Sequence, residues 1–214
     1  MALSSISKKL FLALAGLALC GFAALHLAGN FALYAGGDMY NKYGDMLRNS
    51  PMLIPGEVVL ASFFLAHIAL AIWVTLDNKA ARKYGNAENV KAGESTVASS
   101  TMIYSGLIVI AFLILHLIAF RFPDHPVDAV GRADLRKVVI EYLSQPAALV
   151  WYLVAVSVLG LHLRHALQSS LRTLGIFSAG RWNYVDGISI AFGLLIAAGY
   201  ASIPIWVYFG RPIV

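Results

Sequence analysis

Five long stretches without a single Asp, Glu, Lys or Arg constrain the fold of this chain more than any other feature. Each has about the 20 residues that a helix needs to cross roughly 30 Å of hydrocarbon. A soluble domain would have about a quarter charged residues, whereas only 13% of these 214 residues are charged. The sequence therefore predicts an all-α membrane protein, a single domain of five transmembrane helices with short loops, at residues 10–37, 58–76, 95–120, 142–163 and 187–210.

Composition excludes several classes of function. The only cysteine, Cys20, rules out an internal disulfide, a CxxC zinc site and a cysteine-bound iron–sulfur cluster. The net charge of +5 comes from basic residues scattered among acids, which is not the pattern of a nucleic-acid-binding surface. With five spans, nine of the 16 basic residues fall on the side of the N-terminus. This bias predicts a cytoplasmic N-terminus and an external C-terminus.

Each of the first four stretches carries one histidine among apolar residues: His26, His67, His116 and His162. A histidine inside a membrane span is costly unless something binds it. One such histidine alone is compatible with a hydrogen bond between helices or with a proton relay. Four of them, one on each of four helices, are what two haem groups with two histidine ligands each require.

The depth of each histidine in the membrane follows from the helical rise of 1.5 Å per residue. His26 and His116 lie toward the outer ends of their helices, whereas His162 lies near the inner surface and His67 near the middle. In a sequentially connected bundle the first and third helices are diagonal partners, as are the second and fourth. We therefore predict an outer pair, His26 and His116, and an inner pair, His67 and His162, each holding one haem iron.

Basic residues near the ends of the helices are candidates to meet the haem propionates. Lys9, Arg164 and His165 are placed for the inner haem, and Arg121 for the outer haem. Tetrahedral zinc is disfavoured because the histidines fall into two layers that no carboxylate or thiol joins.

Small residues lie on the same helices as the histidines, at Gly16, Gly21, Ser105, Gly106 and Gly160. A flat macrocycle lying against a helix needs positions without a large side chain. Small residues also allow transmembrane helices to approach one another closely. Both interpretations fit the glycines from sequence alone.

The motifs resemble a known family. HLAGN at 26–30, the glycine ten residues before His116, HLRH at 162–165 and LRTLG at 171–175 are similar to those of the cytochrome b membrane subunit of succinate:quinone and quinol:fumarate oxidoreductases. The resemblance is to the single-chain, five-helix type with two haem groups, and it covers essentially the whole chain.

The resemblance implies two haem b groups and a multi-pass subunit of a bacterial inner membrane, in complexes that can dimerise. It implies a flavoprotein partner with FAD and the dicarboxylate site, and an iron–sulfur subunit docked on the inner face. Electrons would pass between that subunit and a quinone, typically menaquinone, near the outer haem. The direction would be either succinate oxidation or fumarate reduction, with the dicarboxylate chemistry in a partner.

An acidic residue near the outer haem takes protons from the quinol in members of this family. Glu57, at the start of the second span, is our candidate because a carboxylate at a membrane boundary is readily poised as a proton acceptor. The alternative is an ordinary acid at a helix start, favoured there by the helix dipole. Asp38 and Asp45 are the next candidates.

Other functions remain compatible with the sequence. Within electron transfer, the chain could be the cytochrome b anchor of a membrane hydrogenase or a formate dehydrogenase. From a different class, it could be a haem-free transporter or channel with histidine relays, or a purely structural anchor. The lack of charged residues inside the spans and of a paired repeat disfavours a transporter.

Overall fold

The computed structural model of the protein describes residues 4–84, 97–177 and 179–210. Five long helices in these residues are apolar enough to cross a membrane, which confirms the predicted all-helical, multi-pass class. They are α1 Ser5–Asn30, α3 Leu53–Tyr84, α4 Val97–Phe120, α6 Pro146–Thr173 and α7 Trp182–Gly210. The predicted start of the third span, residue 95, lies outside the described residues.

The helices do not end where the uncharged stretches end. α3 and α6 extend well past residues 76 and 163 into charged sequence, because a helix that leaves the hydrocarbon can continue in water. α1 ends earlier than predicted and is followed by a 3₁₀ turn, Phe31–Ala35. Gly36 stops this turn with a φ of 104°, a conformation that glycine adopts readily. Pro204 does not end α7, since the helix continues to Gly210.

Two short helices replace predicted loops at the end of the bundle opposite the N-terminus, the end that we predict to be external. They are α2 Gly37–Arg48 and α5 Leu135–Leu143. The prediction of short loops was wrong here, because both helices are too short and too charged to stand out as apolar stretches. Asn41 joins them: its side chain is buried, donates to Asp134 at 2.9 Å and accepts from the Arg136 backbone N–H at 3.0 Å. We call α2, residues 121–134 and α5 the outer cap.

The first four long helices form a bundle with the predicted diagonals. α1 packs against α3 and α6, and α4 packs against α6, whereas α3 and α4 do not pack along each other in the described residues. In the most apolar 18 residues of each helix, 33% of the α1 residues and 39% of the α6 residues are buried, whereas none of the α3 or α4 residues is. α3 and α4 therefore bury less of their surface against the rest of the protein than α1 and α6 do.

The fifth long helix, α7, packs closely along α6. A Cβ added to Gly160 would lie 2.6 Å from the Ala197 Cβ and 2.7 Å from the Gly193 carbonyl oxygen. Such distances are too short for any side chain, so these small residues let the two backbones approach. Gly160 thus serves helix packing rather than space beside a histidine.

Candidate functional site

The outer pair lies across the bundle between α1 and α4. The ring centres of His26 and His116 are 6.0 Å apart, and their planes are perpendicular. The pairing expected from helical depth is therefore the one found in the structure, with the two rings close enough to share one ligand between them.

Aromatic rings surround the outer pair. Phe22 stacks on His26 at 5.4 Å, and Phe112 and Phe120 contact His116 at 5.6 and 5.1 Å. All three phenylalanines stand four residues from a histidine, the spacing at which side chains meet on a helix. That spacing is visible in the sequence, and we overlooked it there.

A hydroxyl from a neighbouring helix contacts the outer pair. The Tyr152 Oη of α6 lies 3.0 Å from His116 Nδ1. Tyr152 itself is 8% exposed, so this hydrogen bond forms away from water. Sequence reasoning missed Tyr152, because the contact depends on how α6 is rotated about its own axis.

The inner pair joins α3 and α6. The ring centres of His67 and His162 are 6.5 Å apart, with 70° between the planes. Ser105 of α4 lies with its Oγ 2.9 Å from His162 Nδ1 and donates its own hydrogen to the Met102 carbonyl at 3.1 Å. His67 Nδ1 is buried and has no hydrogen-bond partner in the described part of the chain.

Two of the predicted small residues lie directly beside the inner pair. A Cβ on Gly16 would stand 3.6 Å from His67 Cε1, and a Cβ on Gly106 would stand 3.6 Å from His162 Cε1. Gly21, in contrast, has nothing within 4 Å of its Cβ position. The glycines therefore divide between the inner pair, helix packing at Gly160 and open space.

The two pairs lie at different depths along the bundle. α4 contacts the inner pair through Ser105 and carries His116, eleven residues later in the sequence. At the helical rise this separation corresponds to about 16 Å. The pairs are therefore two separate sites, stacked along about half of a hydrocarbon layer of roughly 30 Å.

A buried lysine, Lys8, lies next to Lys9, the candidate for the inner haem propionates. Lys8 is 7% exposed, whereas Lys9 is exposed. The Lys8 Nζ is 2.7 Å from an Asp77 carboxylate oxygen and 3.8 Å from the centre of the Trp73 ring. This contact joins α1 to α3, because burying an unpaired lysine would be strongly unfavourable.

Arg164 and His165 follow His162 toward the inner end of α6. Arg164 is exposed and His165 is half-buried, and His165 Nδ1 has no hydrogen-bond partner in the described residues. One turn further, Asp186 of α7 accepts hydrogen bonds from Gln168 at 2.6 Å and from Arg172 at 2.5 Å.

Glu57 and Arg121, predicted for separate roles, are joined in one ion pair at the outer end. The Glu57 carboxylate accepts two hydrogen bonds from the Arg121 guanidinium, at 2.7 and 3.0 Å. Their side chains are 38% and 44% exposed, so the pair contributes on the order of 0–1 kcal/mol to stability. The Arg121 guanidinium is therefore already engaged by a carboxylate.

A cavity of about 160 Å³ opens beside His26 under the outer cap. Its polar groups include Tyr40, Tyr43 and Asn30. Burial raises the pKa of Tyr40 to about 12, so its hydroxyl stays protonated and donates to Asn30 Oδ1 at 3.2 Å. Glu57 does not line this cavity.

The other acidic candidates lie in the outer cap. Asp38 pairs with Lys42 at 2.7 Å and with Arg132 at 2.8 Å. Hydrogen bonds from these two cations lower the pKa of Asp38 below its ordinary value. No ion pair involves Asp45 in the described residues. His125, in the same region, has its Nε2 3.1 Å from the Phe120 carbonyl oxygen, so it fastens the loop of the cap.

Comparison with known proteins gives no further guidance: no family model, no curated protein and no solved structure matches this chain. Within the described residues, no group of three or more His, Cys, Asp and Glu side chains is arranged to hold a metal ion. The functional conclusion therefore rests on the two histidine pairs and their surroundings.

Proposed function

We propose that this protein is a membrane cytochrome b with two haem groups, one on the outer pair and one on the inner pair. The observation that carries the proposal is the spacing of the rings, 6.0 Å in one pair and 6.5 Å in the other. Two metal–imidazole bonds of about 2.0 Å, with about 1.2 Å more from each nitrogen to its ring centre, separate two axial imidazoles by about 6.4 Å.

The number of donors also favours haem over a bare metal ion. Each site offers two imidazoles, and the described residues supply no third protein ligand. A structural zinc ion needs four ligands. Two imidazoles therefore suit a metal ion whose other ligands come from a cofactor. A porphyrin brings four nitrogens and leaves only the two axial positions to the protein.

The bundle has features that suit a flat apolar group. Gly16 and Gly106 place no side chain beside the inner rings, and α3 and α4 bury less of their surface against protein than α1 and α6 do. When bound, haem supplies a one-electron couple inside the membrane. The chain would supply the axial nitrogens, orient them through Ser105 and Tyr152, and exclude water with the aromatic residues around His116.

We further propose, from the family resemblance, that the chain anchors a fumarate reductase or succinate dehydrogenase. An iron–sulfur subunit and a flavoprotein would bind at the inner end, and menaquinone or a related quinone would react at the outer end. The cavity beside His26 offers phenol and amide groups that can form hydrogen bonds with quinone carbonyls. Glu57, held by Arg121 outside this cavity, is our candidate to receive a quinol proton and pass it to water.

The proposal is tested on the purified full-length chain by pyridine haemochrome analysis and by reduced-minus-oxidised spectra. We expect two haem b per polypeptide, both low-spin. One haem per chain would contradict the proposal of two sites. A chain without haem would instead support the haem-free transporter or the structural anchor.

Co-purification distinguishes the two electron-transfer functions. If the chain is the proposed anchor, a flavoprotein with FAD and an iron–sulfur subunit should co-purify with it. A nickel or molybdenum enzyme in place of the flavoprotein would instead support the hydrogenase or formate dehydrogenase anchor.

A further inference from the structure

The Ser105 hydroxyl stands in a chain of hydrogen bonds that starts at the inner pair. It donates to the Met102 carbonyl at 3.1 Å and lies 2.9 Å from His162 Nδ1. A hydroxyl has a single hydrogen to donate. The Met102 carbonyl is an acceptor for that hydrogen, which leaves the Ser105 oxygen free to accept from His162 Nδ1. The corresponding assignment puts the proton of the neutral ring on Nδ1.

This assignment determines the chemistry of the other ring nitrogen. A neutral imidazole has one N–H group and one lone pair, so a proton on Nδ1 leaves the lone pair on Nε2. We propose that Ser105 is a positioning residue that holds His162 in this tautomer and ring orientation, ready to bind the iron of the inner haem. The inference rests on the proposed function and extends it to a residue on a third helix.

The other three histidines lack such a restraint in the described residues. Tyr152 contacts His116, but its hydroxyl hydrogen has no second acceptor there, so the phenol can donate to the ring or accept from it. His67 Nδ1 has no partner, and no side-chain hydrogen bond to His26 is present. His162 of the inner pair is therefore the histidine whose tautomer and ring orientation we expect the protein to fix before haem binds.

Two other serines donate a hydrogen bond to a carbonyl of their own helix, as Ser105 does, but do not contact a histidine in the described residues. Ser157 donates to the Leu153 carbonyl of its own helix at 2.7 Å, and Ser62 donates to the Val58 carbonyl at 2.8 Å. Both lie in long apolar helices and are exposed, and neither contacts an imidazole in the described residues. Ser157→Ala is thus a control for loss of a serine hydroxyl on a membrane helix.

The experiment compares Ser105→Ala, Ser105→Thr and Ser157→Ala in the complete haem-loaded chain. Redox titration gives the midpoint potential of each haem, and the inner haem is the component that disappears in His67→Ala. Nitrogen NMR of the reduced, diamagnetic protein with labelled histidine follows the His162 Nδ1–H and its exchange with solvent.

We expect Ser105→Ala to raise the potential of the inner haem alone. A hydrogen bond from Nδ1 makes the ligand more basic and favours ferric iron, and its loss reverses this effect. The Nδ1–H should exchange faster, and retention of the inner haem should fall by about 10- to 100-fold. Ser105→Thr, which keeps the hydroxyl, should restore the potential, and Ser157→Ala should change nothing.

Two results would overturn the inference while leaving the haem groups in place. One is an unchanged inner potential in Ser105→Ala. The other is an equal shift of both haem potentials, which indicates a general distortion of the bundle. A wild-type chain without haem would contradict the proposed function and this inference together.

Discussion

The outer and inner pairs use the same ligand type at nearly the same ring spacing but in different surroundings. The outer rings lie among aromatic side chains, with the Tyr152 phenol on His116. The inner rings lie beside Gly16 and Gly106, with the Ser105 hydroxyl on His162. The inner rings have no aromatic partner except each other in the described residues.

If both pairs bind haem, as we propose, this difference would give one bundle two unequal redox sites. The ligands set the spacing of each pair, whereas the neighbours set polarity, hydrogen bonding and available space. Aromatic rings pack around the outer pair, while glycines place no side chain beside the inner one. Two haem groups in such sites should differ in potential, and their properties should respond to different residues.

Removing the four histidines one at a time should have the largest effect on the two proposed haem sites. His67→Ala and His162→Ala should each abolish the same haem, and His26→Ala and His116→Ala should each abolish the other. Each variant should therefore retain about one of the two haem groups, as counted by pyridine haemochrome and identified by redox titration.

His125→Ala is the matched control for these variants, because His125 lies in the outer cap and should not affect either haem. If His67→Ala and His116→Ala lost the same redox component, the assignment of ligands to pairs would be wrong.

The outer end should differ from the inner end in its coupling to protons. Oxidation of a quinol releases two protons, and a carboxylate at the outer end can accept one and pass it to water. Glu57→Gln keeps the shape of the side chain and removes this capacity. We expect quinol-linked turnover to be abolished, with both haem spectra and dicarboxylate activity toward artificial dyes intact.

Two further variants sharpen this prediction. Glu141→Gln removes an exposed acid of the same outer cap and should be silent. Arg121→Gln removes the ion pair but keeps the carboxylate, so quinol-linked turnover should persist. Equal loss in Glu57→Gln and Arg121→Gln would mean that the ion pair matters rather than proton acceptance. Normal turnover in Glu57→Gln would make Asp38 or Asp45 the next candidate.

The sequence predicted the depth of each histidine but not the rotation of each helix. Depth follows from counting residues between charged boundaries, which is why the pairs could be predicted. Rotation changes by about 100° per residue, so it decides that Lys8 is buried while Lys9 is exposed. The rotation of α6 also brings Tyr152 to His116, and the sequence does not predict that contact.

The outer cap escaped prediction for a different reason. α2 and α5 are short helices with many charged residues, and their stability depends on tertiary contacts such as those of Asn41 with Asp134 and Arg136. Short isolated helices are marginal in water, so their sequences carry a weak signal. The cavity beside His26 was unpredictable from the sequence for the same reason, since the cap helps to form it.

A bulky residue beside the inner pair should affect only the inner haem. A Cβ at Gly106 would make ordinary contact with His162 Cε1 at 3.6 Å, so we expect a larger side chain there to crowd the space beside the inner pair. Gly106→Leu should therefore lower the inner haem content while the outer haem stays fully bound. Gly21→Leu is the control, because its Cβ position has nothing within 4 Å. Equal loss of both haem groups in Gly106→Leu would contradict the separation of the sites.

The smallest expected effect is at Tyr152. Tyr152→Phe keeps the ring in its aromatic cluster and removes one hydrogen bond to His116, worth about 0.5–1.5 kcal/mol. With iron on His116 Nε2, the ring carries its proton on Nδ1 and donates a hydrogen bond to the Tyr152 oxygen. Loss of this acceptor should make the ligand less basic and raise the potential of the outer haem. The corresponding one-electron shift is on the order of 20–60 mV, measured by redox titration.

Tyr200→Phe provides the matched control for that shift. The Tyr200 ring centre is 6.3 Å from that of His26, but its hydroxyl donates to the Ala23 carbonyl at 2.8 Å and not to an imidazole. Removing it changes the polarity near the outer pair without changing a hydrogen bond to a ligand. A shift in Tyr152→Phe alone would assign the effect to the His116 hydrogen bond. Equal shifts in both variants would assign it to polarity, and the outer site would then be tuned by its aromatic wall.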